Sequence, residues 1–141
     1  MIDGVKIVPL KLVNNERGHL LEIQRNDDLH FPGFGQTYIT ATKPEVIKAW
    51  YIHHKQIDQI ALVKGNFKLV LFEPISKEIM EIELKDSEPK LVQIPVEVWH
   101  GFKNIGECEG ILLHLNTIPI DLDHPDEDRL DSSSKEIPYM W

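Results

Sequence analysis

The chain has 141 residues, 42% hydrophobic and 27% charged, which suits one globular domain with a real core. Its formal charge of −8 argues against a DNA or RNA partner, because a phosphate backbone calls for a basic surface; a small phosphorylated ligand needs only a few placed cations. The single cysteine, Cys108, excludes an internal disulfide, and no stretch approaches the roughly 20 apolar residues of a membrane helix. No charged start followed by an apolar run marks a signal peptide. The expectation is a cytoplasmic protein, one domain over 1–141, with neither nucleic acid nor membrane as partner.

Helical periodicity is nowhere sustained. Short runs rich in Val, Ile, Leu, Phe and Tyr recur instead, bounded by Gly, Pro, Asn and Asp, which is an all-β pattern. Strands are predicted over 5–13, 19–25, 36–42, 46–53, 57–63, 67–72, 79–84, 90–94 and 110–116. Asn15-Glu16-Arg17-Gly18 carries a turn signal. Lys64-Gly65-Asn66 reads as a tight turn with glycine at positive φ, and 74–76 as another. Between them and 84, the acidic residues of 78–84 alternate with apolar ones and are predicted to face water. His100 is placed on a further short strand, with Trp99 on the opposite face. From Thr117 the chain turns polar and acidic, with little regular structure expected. It closes on Ile137-Pro138-Tyr139-Met140-Trp141, which is expected to pack back on the barrel or on a partner subunit. Strands of this number and spacing suit a sandwich or barrel.

The densest chemistry lies between Lys48 and Asp58. Side chains alternate along a strand, so Lys48, Trp50, Ile52 and His54 are predicted on one face and Ala49, Tyr51 and His53 on the other. Tyr51 and His53 side by side can trade a proton, and histidine does so near neutral pH; the plainer alternative is a hydrogen-bonded pair in core or rim. In the segment from Pro95 to Phe102, His100 either faces a ligand or caps a turn, and Trp99 and Phe102 serve the core. His53, Asp58 and His100 have the side chains of a divalent-metal site, with His114 either a further ligand or a core histidine. Arg17 offers a guanidinium suited to phosphate, or is an exposed turn residue. Cys108 sits between acidic residues, a poor setting for a thiolate nucleophile. No Gly-rich phosphate loop, Walker motif or nucleophile elbow is present.

Taken in order, several elements resemble one family. They are Arg17-Gly18 with Glu22, Phe34-Gly35-Gln36, Val46-Ile47-Lys48 before a histidine-bearing strand, Gly65, Pro95, His100-Gly101-Phe102, Pro125-Asp126-Glu127 and the closing Ile137 to Trp141. From about residue 10 to 141 the sequence resembles the dTDP-4-dehydrorhamnose 3,5-epimerases, particularly their short members. The resemblance implies a cupin jelly roll, a homodimer, a nucleotide-sugar ligand and no cofactor. It implies that Arg17, Glu22 and Gln36 hold the nucleotide and its phosphates, that Lys48 contacts phosphate or sugar, and that His100 lines the pocket.

Three positions depart from that pattern. A gapless reading puts Tyr51 at the place of the base histidine, Asp58 at that of an enolate-steadying lysine, and Leu113 at that of the catalytic tyrosine. The stretch from Lys48 to Gly65 is also similar to the dTDP-4-keto-6-deoxyhexose 3,4-ketoisomerases, with Tyr51 and His53 at the places of a His-x-His pair. The resulting expectation is an epimerase or isomerase of a nucleotide-linked 4-keto-6-deoxy sugar, with Tyr51 and His53 as the proton-transfer pair. The alternatives are a catalytically silent nucleotide-sugar-binding cupin, and a metal-dependent cupin using His53, Asp58 and His100.

Overall fold

The apolar runs between glycine, proline and asparagine turns form twelve strands in the computed structural model, which describes residues 1–141. These are β1 (Lys6–Pro9), β2 (Lys11–Asn15), β3 (Gly18–Glu22), β4 (Gln36–Thr42), β5 (Ile47–Ile52), β6 (Asp58–Lys64), β7 (Asn66–Phe72), β8 (Ile79–Lys85), β9 (Lys90–Ile94), β10 (Trp99–Asn104), β11 (Gly110–Asn116) and β12 (Asp128–Arg129). Two five-stranded antiparallel sheets result, ordered β1-β9-β6-β11-β4 and β12-β5-β10-β7-β8. From β4 onward the chain passes back and forth between them, except at the β7–β8 hairpin, which is the jelly-roll arrangement of a cupin. No helix is long and apolar enough to cross a membrane.

One end of the space between the sheets is filled. Ile60, Leu62, Leu69, Leu71, Val92 and Leu112 interlock there with Phe67 and Phe102. The predicted alternation of 78–84 holds: Ile82 and Leu84 are buried, and Glu81 and Glu83 face water. Gly65 takes its positive φ of 103° at the β6–β7 turn. The other end of the barrel is polar and open.

Three elements differ from the sequence expectation. The run 5–13 breaks at Leu10; β1 stays in the first sheet, while β2 leaves it to pair only with β3. Arg17 and Glu22 therefore ride on a projecting hairpin. A two-residue strand, β12, forms in the acidic tail and pairs with Tyr51 and Ile52. Finally, Lys48 and Trp50 do not share a face. His100 pairs with Tyr51 but Phe102 pairs with Lys48, so Ala49 and Trp50 together oppose Gly101. This β-bulge inserts one residue into the alternation. Lys48 thereby joins Tyr51 and His53 toward the open end, and Ala49 and Trp50 turn to the outer side of the sheet. Only glycine fits opposite them, since a Cβ on Gly101 would lie 2.9 Å from Ala49 Cα.

The closing apolar residues pack back on the barrel. Trp50 is wholly buried against Val70, Phe72 and Ile137, with the Trp141 ring 4.9 Å and the Tyr139 ring 6.0 Å away. Leu130 exchanges both backbone hydrogen bonds with Trp50, at 2.8 and 3.1 Å. The tail is thus a layer over the outer face of the second sheet. Ile137→Ala is expected to cost about 2–5 kcal/mol of unfolding free energy, the range for truncating a fully buried isoleucine. Urea denaturation checks this; an unchanged midpoint would mean the tail is not part of the folded unit.

Candidate active site

At the open end a cavity of about 850 Å³ is bounded by β4, β5, β6, β10, β11 and the segment 118–129. That volume is in the range of small-ligand sites. Ile60 and Phe102 form its apolar floor, where the core begins. Lys48, Lys55 and Arg129 supply permanent positive charge to its wall.

The centre is a buried carboxylate among imidazoles. Asp58, 4% exposed, is the first residue of β6 and points into the barrel. His100 Nε2–H donates to Asp58 Oδ2 at 3.0 Å, and Nδ1–H donates to the Val98 carbonyl at 3.1 Å. A ring flanked by two acceptors meets both only with a proton on each nitrogen. Burial pushes the Asp58 carboxyl up, but the hydrogen bond and charge of His100, with His53 and His114, outweigh it and hold it below the usual carboxylate range. Asp58 Oδ1 is buried without a partner.

His53 stands beside this pair, its ring 5.5 Å from that of His100. Its Nδ1–H donates to the Asp126 carbonyl at 2.7 Å. Gln56 Nε2–H reaches the other nitrogen, Nε2, at 3.4 Å. This fixes the tautomer with a lone pair on Nε2, which is what a general base needs. An imidazolium formed there would sit 3.6 Å from Asp58 Oδ2 and 3.9 Å from Glu127 Oε1. Tyr51 is half-buried next to His100, with the Arg129 guanidinium 5.4 Å over its ring. Burial raises its pKa; Arg129 opposes that and Glu127 adds to it. Tyr51 therefore keeps its proton.

The acidic tail shapes the site. The Asp126 carboxylate accepts the backbone N–H groups of His54, Lys55 and Gln56 at 3.2, 2.9 and 2.9 Å. His54 bridges Glu97 at 2.7 Å and Asp128 at 2.8 Å. These contacts hold segment 126–129 along the cavity rim.

The other predicted residues divide. Lys48 lines the cavity, with Nζ donating to the Ala41 carbonyl at 3.0 Å. Gln36 instead holds the rim: its Oε1 accepts Ile120 N–H at 2.8 Å. Arg17 and Glu22 are exposed on the hairpin, outside the cavity of their own chain, and Glu22 pairs with Arg25 at 3.5 Å. Leu113 faces away from the barrel interior; His114, one residue on, faces in. The sequence reading passed over Tyr38, which lies opposite His114 in the β4–β11 ladder and stacks on it at 4.6 Å. The alternation in β4, with even-numbered residues less exposed than odd ones, was the available signal.

Ligand atoms of His53, Asp58 and His100 lie within 4.8 Å of one another. Two imidazoles and a carboxylate suit a first-row divalent ion. In this geometry Asp58 Oδ2 and His100 Nε2 are hydrogen-bonded to each other, so an ion would have to break that bond.

A jelly roll with a ligand-sized cavity at one end, and histidines converging on it, defines a cupin. The chain belongs to the polysaccharide biosynthesis C-terminal domain family, whose model matches residues 13–127. It is 32% identical to the spore coat polysaccharide biosynthesis protein SpsL of Bacillus subtilis, over 100% of this chain and 97% of that one. It is 31% identical to the probable low-salt glycan biosynthesis epimerase Agl13 of Haloferax volcanii, over 99% of this chain and 94% of that one. Among solved structures, the dTDP sugar isomerase of Desulfovibrio desulfuricans superimposes with a TM-score of 0.92 at 25% identity, covering 99% of this chain and 91% of that one.

Burial lowers the pKa of His114 to about 4, with Asp58 working the other way. Its folded value lies below its unfolded one, so only the unfolded chain takes up this proton between about pH 6.5 and 4. Stability should fall with pH through that window by ~3 kcal/mol from this group, while the lowered Asp58 acts only below the ordinary carboxylate range. Urea midpoints measured against pH should show a shallower decline in His114→Gln than in the parent; identical slopes would contradict the assignment.

Proposed function

We propose that the chain is an epimerase or isomerase acting on a nucleotide-linked 4-keto-6-deoxy sugar, dTDP being the expected nucleotide, in polysaccharide biosynthesis. One observation carries the reading. His53 presents an unprotonated Nε2 to a ligand-sized cavity while its Nδ1–H is anchored to the Asp126 carbonyl. A hydrogen on the carbon beside a ketone is acidic enough for an imidazole to remove when the enolate is stabilised. His53 takes that proton. The doubly hydrogen-bonded His100 ring and Tyr51 stand beside the forming charge, and Lys48, Lys55 and Arg129 balance the diphosphate. The family and the names of its relatives support this class of reaction.

Incubated in deuterium oxide with dTDP-4-keto-6-deoxyglucose, the protein is expected to place deuterium on a sugar carbon next to the ketone. His53→Asn is expected to slow this by about 100-fold or more, the usual worth of a general base. Binding without exchange in the parent would indicate a silent binding protein. Exchange that disappears with a chelator and returns with a divalent ion would indicate the metal-dependent cupin.

Arg17 and Glu22 fit the reading when the working unit is a homodimer whose hairpin reaches a second copy. The β2–β3 hairpin pairs with neither sheet of its own chain and exposes Val13 (45%) and Leu20 (62%). Strand β4 has an open edge and exposes Ile39 (61%). Free edges and apolar patches of this kind are normally covered. Sedimentation should give the mass of two chains, and Leu20→Asp should shift it to one and weaken dTDP binding. A monomeric parent protein that binds dTDP would contradict the arrangement.

A further inference from the structure

We propose that the buried glutamines Gln59 and Gln93, which grip Gln24 at the base of the β2–β3 hairpin, are positioning residues. They set the direction in which the hairpin projects, and so place Arg17 on the nucleotide held by a second copy of the chain. This rests on the dimer reading given under Proposed function and supplies the device that reading needs.

The device lies on the back of the site. Side chains alternate along a strand. Asp58 and Ile60 point into the barrel from β6, and Val92 and Ile94 from β9, so Gln59 and Gln93 point out of it. The two glutamines are directly opposite each other in the β6–β9 ladder. A glutamine on the outer side of a sheet is ordinarily wet. Gln59 is nevertheless 0% exposed and Gln93 4%. The chain leaving the hairpin lies over them, held by hydrogen bonds. Gln24 Nε2–H donates to Gln59 Oε1 at 2.7 Å, and Gln93 Nε2–H donates to the same oxygen at 2.9 Å. Gln93 Nε2–H also donates to the His30 carbonyl at 2.7 Å, and Gln59 Nε2–H to the Leu115 carbonyl at 3.4 Å. No nitrogen or oxygen of the three glutamines is buried without a partner. Apolar side chains would cover the sheet equally well but have no preferred direction. A closed amide network holds its members at fixed angles.

The angle matters because the hairpin is a lever. It leaves the first sheet at Leu10, whose N–H donates to the Pro89 carbonyl at 2.9 Å, and its strands then pair only with each other. Its two legs are therefore pinned at Leu10 and at Gln24. Beyond Gln24 the chain does not slacken, since Arg25 N–H donates to the Asp28 carboxylate at 2.7 Å. Arg17 stands at the tip, in the turn between β2 and β3. At ~3.3 Å per residue the tip is about 20 Å from Gln24. A tilt of about 10° at the base would carry Arg17 through ~3.5 Å, whereas a guanidinium–phosphate hydrogen bond tolerates only a few tenths of an ångström.

Gln24→Met tests the tether without opening the core. Gln24 is half-buried, and Gln59 Oε1 keeps the Gln93 amide, so no buried acceptor is orphaned. The urea midpoint and the dimer mass are expected to stay at their parent values. Binding of dTDP is expected to weaken by about 10-fold or more, the worth of one charged hydrogen bond. With dTDP-4-keto-6-deoxyglucose the loss should appear as a raised KM with kcat unchanged, because Arg17 touches no reacting carbon. The double variant with Arg17→Ala shows the route. If Gln24 acts through Arg17, the double variant binds dTDP no worse than Arg17→Ala alone. Parent affinity in Gln24→Met, or losses that add in the double variant, would overturn the inference and leave the dimer reading standing. A monomeric parent protein, or full dTDP affinity in Arg17→Ala, would overturn the dimer reading and this inference with it.

Discussion

A charged carboxylate sealed inside a β-barrel is the constraint around which this molecule is organised. Asp58 has almost no access to water. Burying such a group is costly by several kcal/mol unless partners replace its hydration. His100 supplies a charge-assisted hydrogen bond, and His53, just past the end of β5, and His114 on β11 add favourable electrostatics. Four strands must therefore hold their register for one acid to stay ionised. The same requirement delivers three imidazoles to one end of the barrel, where the apolar floor of Ile60 and Phe102 stops water from passing further.

The tail couples this centre to the rest of the chain. Its far end is anchored by packing, with Ile137, Tyr139 and Trp141 around Trp50. Its near end is anchored by hydrogen bonds, with the Asp126 carboxylate on three backbone N–H groups and its carbonyl on His53. One residue thus closes the β5–β6 loop and sets the histidine tautomer. The bulge at Ala49 and Trp50 makes the packing contact possible by sending Trp50 outward to the tail, and it turns Lys48 inward to the cavity.

Much of the fold was legible from the sequence because period-two burial leaves a clear trace. The alternation of 78–84, the turn at Gly65 and the closing apolar cluster all read correctly. The jelly roll itself came from resemblance, since periodicity cannot tell a barrel from a sandwich. Strict alternation failed at Lys48, because a bulge leaves no mark beyond a small residue such as Gly101 on the partner strand. The gapless count from His100 matched Leu113 to the family's tyrosine, but on β11 it is His114 that faces in. His53 stood out by its chemistry beside Tyr51, and Lys48 and His100 by their match to the family's pattern; all three line the cavity. Tyr38 was missed because nothing in the threonine-rich strand β4 marks its tyrosine until its cross-strand partner His114 is known. The hairpin carrying Arg17 and Glu22 has no counterpart surface within one chain, so its use depends on a second copy.

The proposed chemistry depends most on which nitrogen of His53 is free. Nitrogen-15 NMR of the imidazole rings, in uniformly labelled protein near neutral pH, reads this directly. The structure predicts that His53 carries its proton on Nδ1, which faces the Asp126 carbonyl, and a bare lone pair on Nε2. A proton on Nε2 of His53, with Nδ1 bare, would contradict its proposed role as the base.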